Sequence, residues 1–240
     1  MTILEGNATV RELGLGLRRP PEIHRDYSPD HCAPHQILRA VTQDEVELWD
    51  QAERLVYKIY REMGFCEPSP RNWVEDFEQY RDGSTFYVVI DDDRVVGAIR
   101  TMVGPIGELP IGKFPLHTID PSMVVCEFGS LAVEQEFRGL GITNALHRCA
   151  VQHTFLSEAD AFAMAVESWF LDVYRDLYGL PLVIAADPTH YMGSETMAGV
   201  VFLDQMISVF IRERPNVFTW ITDGLSPEIW MPETIDLTGV

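Results

Sequence analysis

Residues 136–150 read EFRGLGITNALHRCA, and the reading of this stretch decides the fold. A helix is expected over 141–159, yet Arg138-Gly139-Leu140-Gly141 stands at its entrance, where glycine is a poor helix former. A helix N-terminus carries unpaired backbone N–H groups and a partial positive charge. Glycines let an anion reach those groups, and an arginine adds a charge-assisted contact. The preceding segment MVVCEFGSLAV (123–133) reads as a strand, followed by a tight turn at 134–137. Strand, turn, glycines and helix together describe a cradle for a phosphate or pyrophosphate. The spacing is neither GxxxxGK[ST] nor GxGxxG, so neither a nucleoside triphosphate nor a nicotinamide cofactor is expected. A glycine turn without a ligand is the plainer alternative.

Outward from this point, the chain alternates elements. QILRAV (36–41) is a short strand. Asp44 then caps a helix, EVELWDQAERLVYKIYREMG, which ends at Gly64. NWVEDFEQYR (72–81) is a shorter helix. STFYVVI and RVVGAIRTMV, joined through Asp91-Asp92-Asp93, form an antiparallel hairpin, and a Gly/Pro-rich connection covers 104–121. After the cradle helix come a strand AFAMAVES, a helix SWFLDVYRDLYG ending at Gly179, a strand PLVIAA, and a helix near FLDQMISVFIRERP. Mixed helices and strands with an early hairpin predict an α/β fold, a mixed sheet with helices on both faces. Residues 1–35, rich in proline, read as an arm, and 36–240 as a single domain with a C-terminal extension.

Composition narrows the partners. Across the 240 residues the formal net charge is −19, which argues against nucleic acid. No run of 18 uncharged apolar residues occurs, so no membrane span is expected, and the N-terminus does not read as a signal peptide. Cys32, Cys66, Cys126 and Cys149 form no CxxC pair, so a reduced, cytoplasmic protein is expected. His24, His31, Cys32 and His35 match no zinc spacing, and no metal site is expected. A homodimer is left open.

The stretch VEQEFRGLGITNAL closely resembles the acyl-CoA-binding signature of the GNAT superfamily of N-acyltransferases: arginine or glutamine, two residues, glycine, one residue, glycine or alanine, opening a helix after a strand. Arg138, Gly141 and Thr143 occupy its positions, Gly139 matches the Arg-Gly-x-Gly form, and Leu140 is the intervening residue. Thr143 replaces the usual small residue with one whose hydroxyl can bond a phosphate. The resemblance covers about residues 36–190. It implies that the sheet is mainly antiparallel, with an acyl thioester, acetyl-CoA or a longer acyl-CoA, held between two splayed parallel strands at 123–133 and 160–167. Backbone groups near Ser130, Leu131, Ala132 and Val133 would hold the pantetheine and polarise the carbonyl. A small-molecule amine would attack directly.

Glu127 is a lone carboxylate in an apolar strand. Burial would raise its pKa, which suits a general base, and a carboxylate on this strand often serves as base in the family. Pairing with Arg100 is its structural alternative. The resemblance also implies a tyrosine that protonates the leaving sulfur. Tyr174 and Tyr178 both lie in VYRDLYGL, the spacing fits neither, and Tyr174 is preferred over a purely packed tyrosine. His147 is expected at the surface. The segment CEFGSLAV is similar to the branch that makes N-acyl amino acids and N-acyl homoserine lactones. Leu131 stands where the lactone synthases carry an arginine, which argues against lactone synthesis and leaves a long-chain N-acyl amino acid synthase as alternative. That branch implies an acyl carrier protein as donor, for which Arg11, Arg18, Arg19 and Arg25 of the arm offer a basic patch. A silent acyl-CoA-sensing module would keep the cradle without the chemistry.

Overall fold

The structure, a computed structural model, describes residues 33, 35–157 and 159–230. The arm's four arginines, together with His24, His31 and Cys32, lie outside the described residues. The strands are β1 (Ile37–Val41), β2 (Ser84–Asp91), β3 (Arg94–Pro105), β4 (Val124–Val133), β5 (Ala161–Glu167), β6 (Val183–Ile184), β7 (Thr189–Tyr191) and β8 (Ser194–Phe202). They form one sheet in the order β1-β2-β3-β4-β5-β8-β6, with β7 paired to β8. All pairings are antiparallel except β4 with β5. The mixed, mainly antiparallel sheet expected from the sequence is present. None of the described helices is long and apolar enough to cross a membrane.

Helix α1 (Val46–Met63) buries Trp49, Ala52, Leu55, Val56 and Ile59 along one stripe. Gly64 ends it at φ 77°, its N–H donating to the Arg61 carbonyl. The expected cap is corrected: Glu45, not Asp44, precedes the first turn, and it makes no side-chain cap bond, because its carboxylate pairs with Arg39. The expected helix over 72–81 is a 3₁₀ segment, Glu75–Gly83. Asn72 sits at φ 57°, which no right-handed helix admits. Asp92 and Asp93, at φ 46° and 63°, close the β2–β3 hairpin.

On the opposite face lie α2 (Ile142–Leu156), α4 (Leu203–Glu213) and α5 (Pro215–Thr222), with the short helix α3 (Ser168–Asp172) between α2 and α4 in the chain. Their apolar residues share a core with Val89, Ile99, Phe128 and Phe162 of the sheet. The α1 face packs on Phe86, Val88 and Ala98. A third cluster, on the α1 side of β4, β5 and β8, gathers Met102, Ile111, Ala163 and Val200. Alternation along β4 sends Phe128 into the α2 face, while the carboxylate of Glu127 meets Ile111 in the third cluster.

The last sheet elements differ from expectation. PLVIAA pairs only at Val183–Ile184, and the inner neighbour of β5 is β8, reached through a β7–β8 hairpin that the sequence reading lacks. The turn places Met192 at φ 48° and Gly193 at φ 75°. Methionine is not a turn former, so the hairpin has a weak sequence signal. A Cβ on Gly193 would stand 2.3 Å from the Gly64 carbonyl, so glycine lets the hairpin tip close on the end of α1.

Between α1 and the sheet a charged pair is buried. Arg100, fully buried on β3, donates to Glu53 of α1 at 2.7 Å, and its guanidinium lies over Phe86 at 4.6 Å and Phe77 at 5.0 Å. Removing one partner leaves an uncompensated interior charge. Glu53→Gln is therefore expected to lower stability by about 3 kcal/mol, read as a fall in the urea midpoint without a change in slope.

Candidate active site

The two central parallel strands part. β4 and β5 pair only at Val125–Ala161, Cys126–Phe162, Glu127–Ala163 and Phe128–Met164. Beyond that, β4 follows β3 and β5 follows β8. A bulge sharpens the divergence: Gly129 faces Arg100 and Ala132 faces Ala98, so Ile99 alone stands opposite Ser130 and Leu131. Ser130 adopts φ 52° at this point. Between the parted strands lies a cleft of about 260 Å³, walled by Gly129, Ser130 and Leu131 on one side and Ala165, Val166 and Glu167 on the other.

The glycines at the end of β4 have a conformational role. Gly139 and Gly141 adopt φ 80° and 91°, and Gly141 is the N-cap of α2. Both angles favour a residue without Cβ. The Gly141 carbonyl accepts from the Asn144 and Ala145 N–H groups, so the N–H groups of Ile142 and Thr143 precede the helical ladder and stay open to a ligand. Gly97 of β3 lets the helix start approach closely, since a Cβ there would stand 2.6 Å from Ile142. Arg138 is exposed, and its Nε donates to the Val133 carbonyl at 3.1 Å, which folds the arginine over the strand end. Leu140 is 61% exposed. Of the strand positions expected to carry the pantetheine, Leu131 walls the cleft, while Ala132 packs against the α1 face and Val133 against the α2 face.

His147 is not at the surface, where the sequence placed it. One turn after Thr143, it is held between two partners. Its Nδ1 meets the Thr143 carbonyl at 2.9 Å and its Nε2 the Tyr174 hydroxyl at 2.9 Å. A carbonyl only accepts, so Nδ1 carries the proton. Burial lowers the His147 pKa to about 4, against the opposing Thr143 bond, so the ring is neutral at pH 7. Nε2 then accepts, and Tyr174 donates. Burial, with Tyr178 nearby, pushes the Tyr174 phenol upward. The Tyr174 proton is thus engaged by His147, a bond that no sequence spacing would reveal. Tyr174 lies in an irregular stretch, where a helix at Ser168–Asp172 widens into a π-turn over Val173–Leu177.

His147, Tyr174, Phe128 and Met164 also border a second, apolar cavity of about 80 Å³. It lies in the α2–α4–α5 layer, with Val151, Met206, Phe210 and Val217 in its lining.

Glu127 is 2% exposed. It does not pair with Arg100, which Glu53 occupies. Its Oε2 accepts from the Ile111 N–H at 2.9 Å. Burial raises its pKa to about 8, while the Ile111 N–H and the Lys113 charge pull the other way. The sequence reading missed the end of the cleft formed by Tyr60, Met63 and Phe65 around the end of α1 and Tyr191 and Met192 of the hairpin.

A sheet that parts beside a glycine-opened helix is the framework of GNAT-type N-acyltransferases, and the protein is an acyltransferase of that class. A family profile for the N-acyl amino acid synthase FeeM matches residues 51–200, and the chain belongs to that family. The structure of FeeM from uncultured soil microbes aligns with a TM-score of 0.55 at 13% identity, over 73% of this chain and 95% of that one. BjaI, a CoA-dependent acyl-homoserine lactone synthase solved with SAM and isopentyl-CoA, aligns at 0.59 and 15%, over 78% and 88%. The lactone synthase LasI aligns at 0.58 and 13%, over 71% and 91%. At these identities the likenesses establish the shared fold. No curated protein sequence matches the chain.

The raised pKa of Glu127 has a stability consequence. An unfolded glutamate titrates near pH 4.3. Between that value and about 8 the native state holds a proton that the unfolded state has lost. Stability is therefore full below the lower value and falls as pH rises through the upper one. Glu127→Gln is expected to leave stability at pH 4 unchanged and to exceed wild type at pH 9 by roughly 1–3 kcal/mol, seen as a higher melting temperature in thermal unfolding across pH.

Proposed function

We propose that the protein transfers a medium- or long-chain acyl group from acyl-CoA to the primary amine of a small acceptor such as an amino acid. The observation that carries this is the apolar second cavity, which shares four wall residues with the cleft. An acetyl group would fill only the cleft. A longer chain would run past Phe128 and Met164 and bury its methylenes, each contributing about 0.8 kcal/mol.

In this reading the N–H groups at the start of α2 and the Arg138 guanidinium hold the pyrophosphate, with Gly139, Leu140 and Gly141 shaping the loop and the Thr143 hydroxyl beside them. The bulged backbone at Ser130 and Leu131 polarises the thioester carbonyl. The amine attacks, the C–N bond forms and the thiolate leaves with the C–S electron pair. Glu127 takes the amine proton; with its pKa near 8 it is partly ionised at neutral pH and suited to that task. Tyr174 stands beside the thioester as candidate donor to the sulfur. To serve there it must turn its hydroxyl away from His147. A carrier-protein donor would place the same phosphopantetheine arm in the cleft. Supplying matched acyl-CoA and acyl-carrier donors to one amino acid acceptor separates the two, and CoA thioesters are expected to be turned over.

Two variants test the assignment. Arg138→Ala is expected to weaken acyl-CoA binding by about 1.5–3 kcal/mol, read by calorimetry; unchanged affinity sinks the cradle. Val217→Trp, which fills the second cavity from its far side, is expected to cut kcat/KM for decanoyl-CoA about tenfold or more while sparing acetyl-CoA. Equal losses for both donors would remove the chain chamber.

A further inference from the structure

Glu127 and the cleft are separated by β4. Phe128 walls both cavities, whereas the Glu127 carboxylate is turned to the other face, against Ile111. A base in that position needs a path for the amine's proton. Among the described apolar and aromatic residues, two side chains both line the cleft and pack against the apolar cluster of Ile111 and Met102 on that other face: Ala165 and Tyr191. Only the tyrosine can carry a proton.

Tyr191 is fixed by the same segment that holds Glu127. The 3₁₀ turn Pro110–Lys113 supplies the Ile111 N–H to the carboxylate. The next residues embrace the ring: Phe114 meets it edge-on at 5.3 Å and Lys113 Nζ lies 5.6 Å from its centre. Yet the Tyr191 hydroxyl, buried from solvent, has no hydrogen-bond partner. A buried hydroxyl left unpaired is costly, and one that borders a cleft is open to completion by a ligand or a reacting group. Burial, followed by the charges of Asp76 and Glu127, pushes the phenol upward, so the group keeps its proton through the working pH range.

We propose that Tyr191 relays the acceptor's proton to Glu127. This rests on the acyl-transfer reading above. As the amine nitrogen bonds to the thioester carbon, an N–H proton passes to the Tyr191 oxygen, and the tyrosine's own proton passes to the ionised Glu127 carboxylate. The C–S bond breaks with its electron pair on sulfur. The thiolate takes a proton from Tyr174, which water reprotonates, or from water directly, and Glu127 returns its proton to water before the next cycle. No phenolate accumulates.

The test is steady-state transfer by wild type, Tyr191→Phe, Glu127→Gln and the double variant, with decanoyl-CoA and an amino acid, from pH 6 to 10. The charged and titratable groups facing this pair are Lys113, Asp76, Tyr60 and Tyr80, and all are unchanged in these variants. Tyr191→Phe keeps the ring and deletes an unpaired hydroxyl, so it is expected to fold, with acyl-CoA stabilisation in thermal unfolding equal to wild type. The expected result is a fall in kcat of about 100-fold at unchanged KM. The rise in rate around pH 8 should be lost, and the double variant should be no slower than Glu127→Gln. Wild-type kcat and pH profile in Tyr191→Phe, or losses that multiply in the double variant, overturn the relay while leaving acyl transfer intact. Wild-type enzyme inert with every donor and amine overturns the transfer reading and the relay together.

Discussion

The arrangement depends on a shortage of hydrogen bonds between two neighbouring strands. β4 and β5 begin as partners and stop after four residue pairs, because each is held more extensively elsewhere. β5 is paired along its whole length by β8, Ala161–Glu167 against Phe202–Thr196. β4 is drawn toward β3 up to Val133, with the Ser130–Leu131 bulge absorbing the mismatch. The backbone edges left facing each other cannot reach across the gap. They add backbone polar groups to the cleft, which an amide-bearing ligand such as a pantetheine arm can pair with.

The interior also holds two carboxylates with different partners. Glu53 faces Arg100 and, at 3.9 Å, Arg81. Burial raises its pKa, and the two guanidiniums beside it offset that only in part. Glu127 has one backbone N–H and a distant lysine to set against its burial, which raises its pKa to about 8. The contrast separates an anchoring pair, which fixes α1 on the sheet, from a carboxyl poised to change its charge. Sequence pattern singled out Glu127 and not Glu53; the distance to a cation distinguishes the two.

Much of the fold was legible because its signals are local. The hairpin through Asp91–Asp93, the helix ended by Gly64 and the glycines before α2 each follow from backbone chemistry at single residues. The candidate site was legible in part. Arg138, Gly139, Gly141 and Glu127 stand out in their own segments. What escaped depends on contacts between distant residues: the His147–Tyr174 bond spans 27 positions, and His147 alone resembles any polar residue on a helix. The β7–β8 hairpin escaped because Met192 adopts a left-handed turn that methionine does not advertise, and its tolerance comes from the close seat of Gly193 on Gly64. Missing that hairpin hid Tyr191 as well.

Helix α2 carries the glycine-opened turn at its start, His147 in the wall between the two cavities, and Val151 in the lining of the inner one. At 1.5 Å per residue, Thr143 to His147 advances about 6 Å and Thr143 to Val151 about 12 Å. If the start of the helix seats the donor's headgroup, one rigid rod gauges both ends of the same molecule. The spacing between headgroup seat and chain chamber is then set by helical pitch, not by loop conformation. Evolution of a different chain length must repack the chamber walls, since an insertion or deletion in α2 would also rotate the cradle away from the cleft.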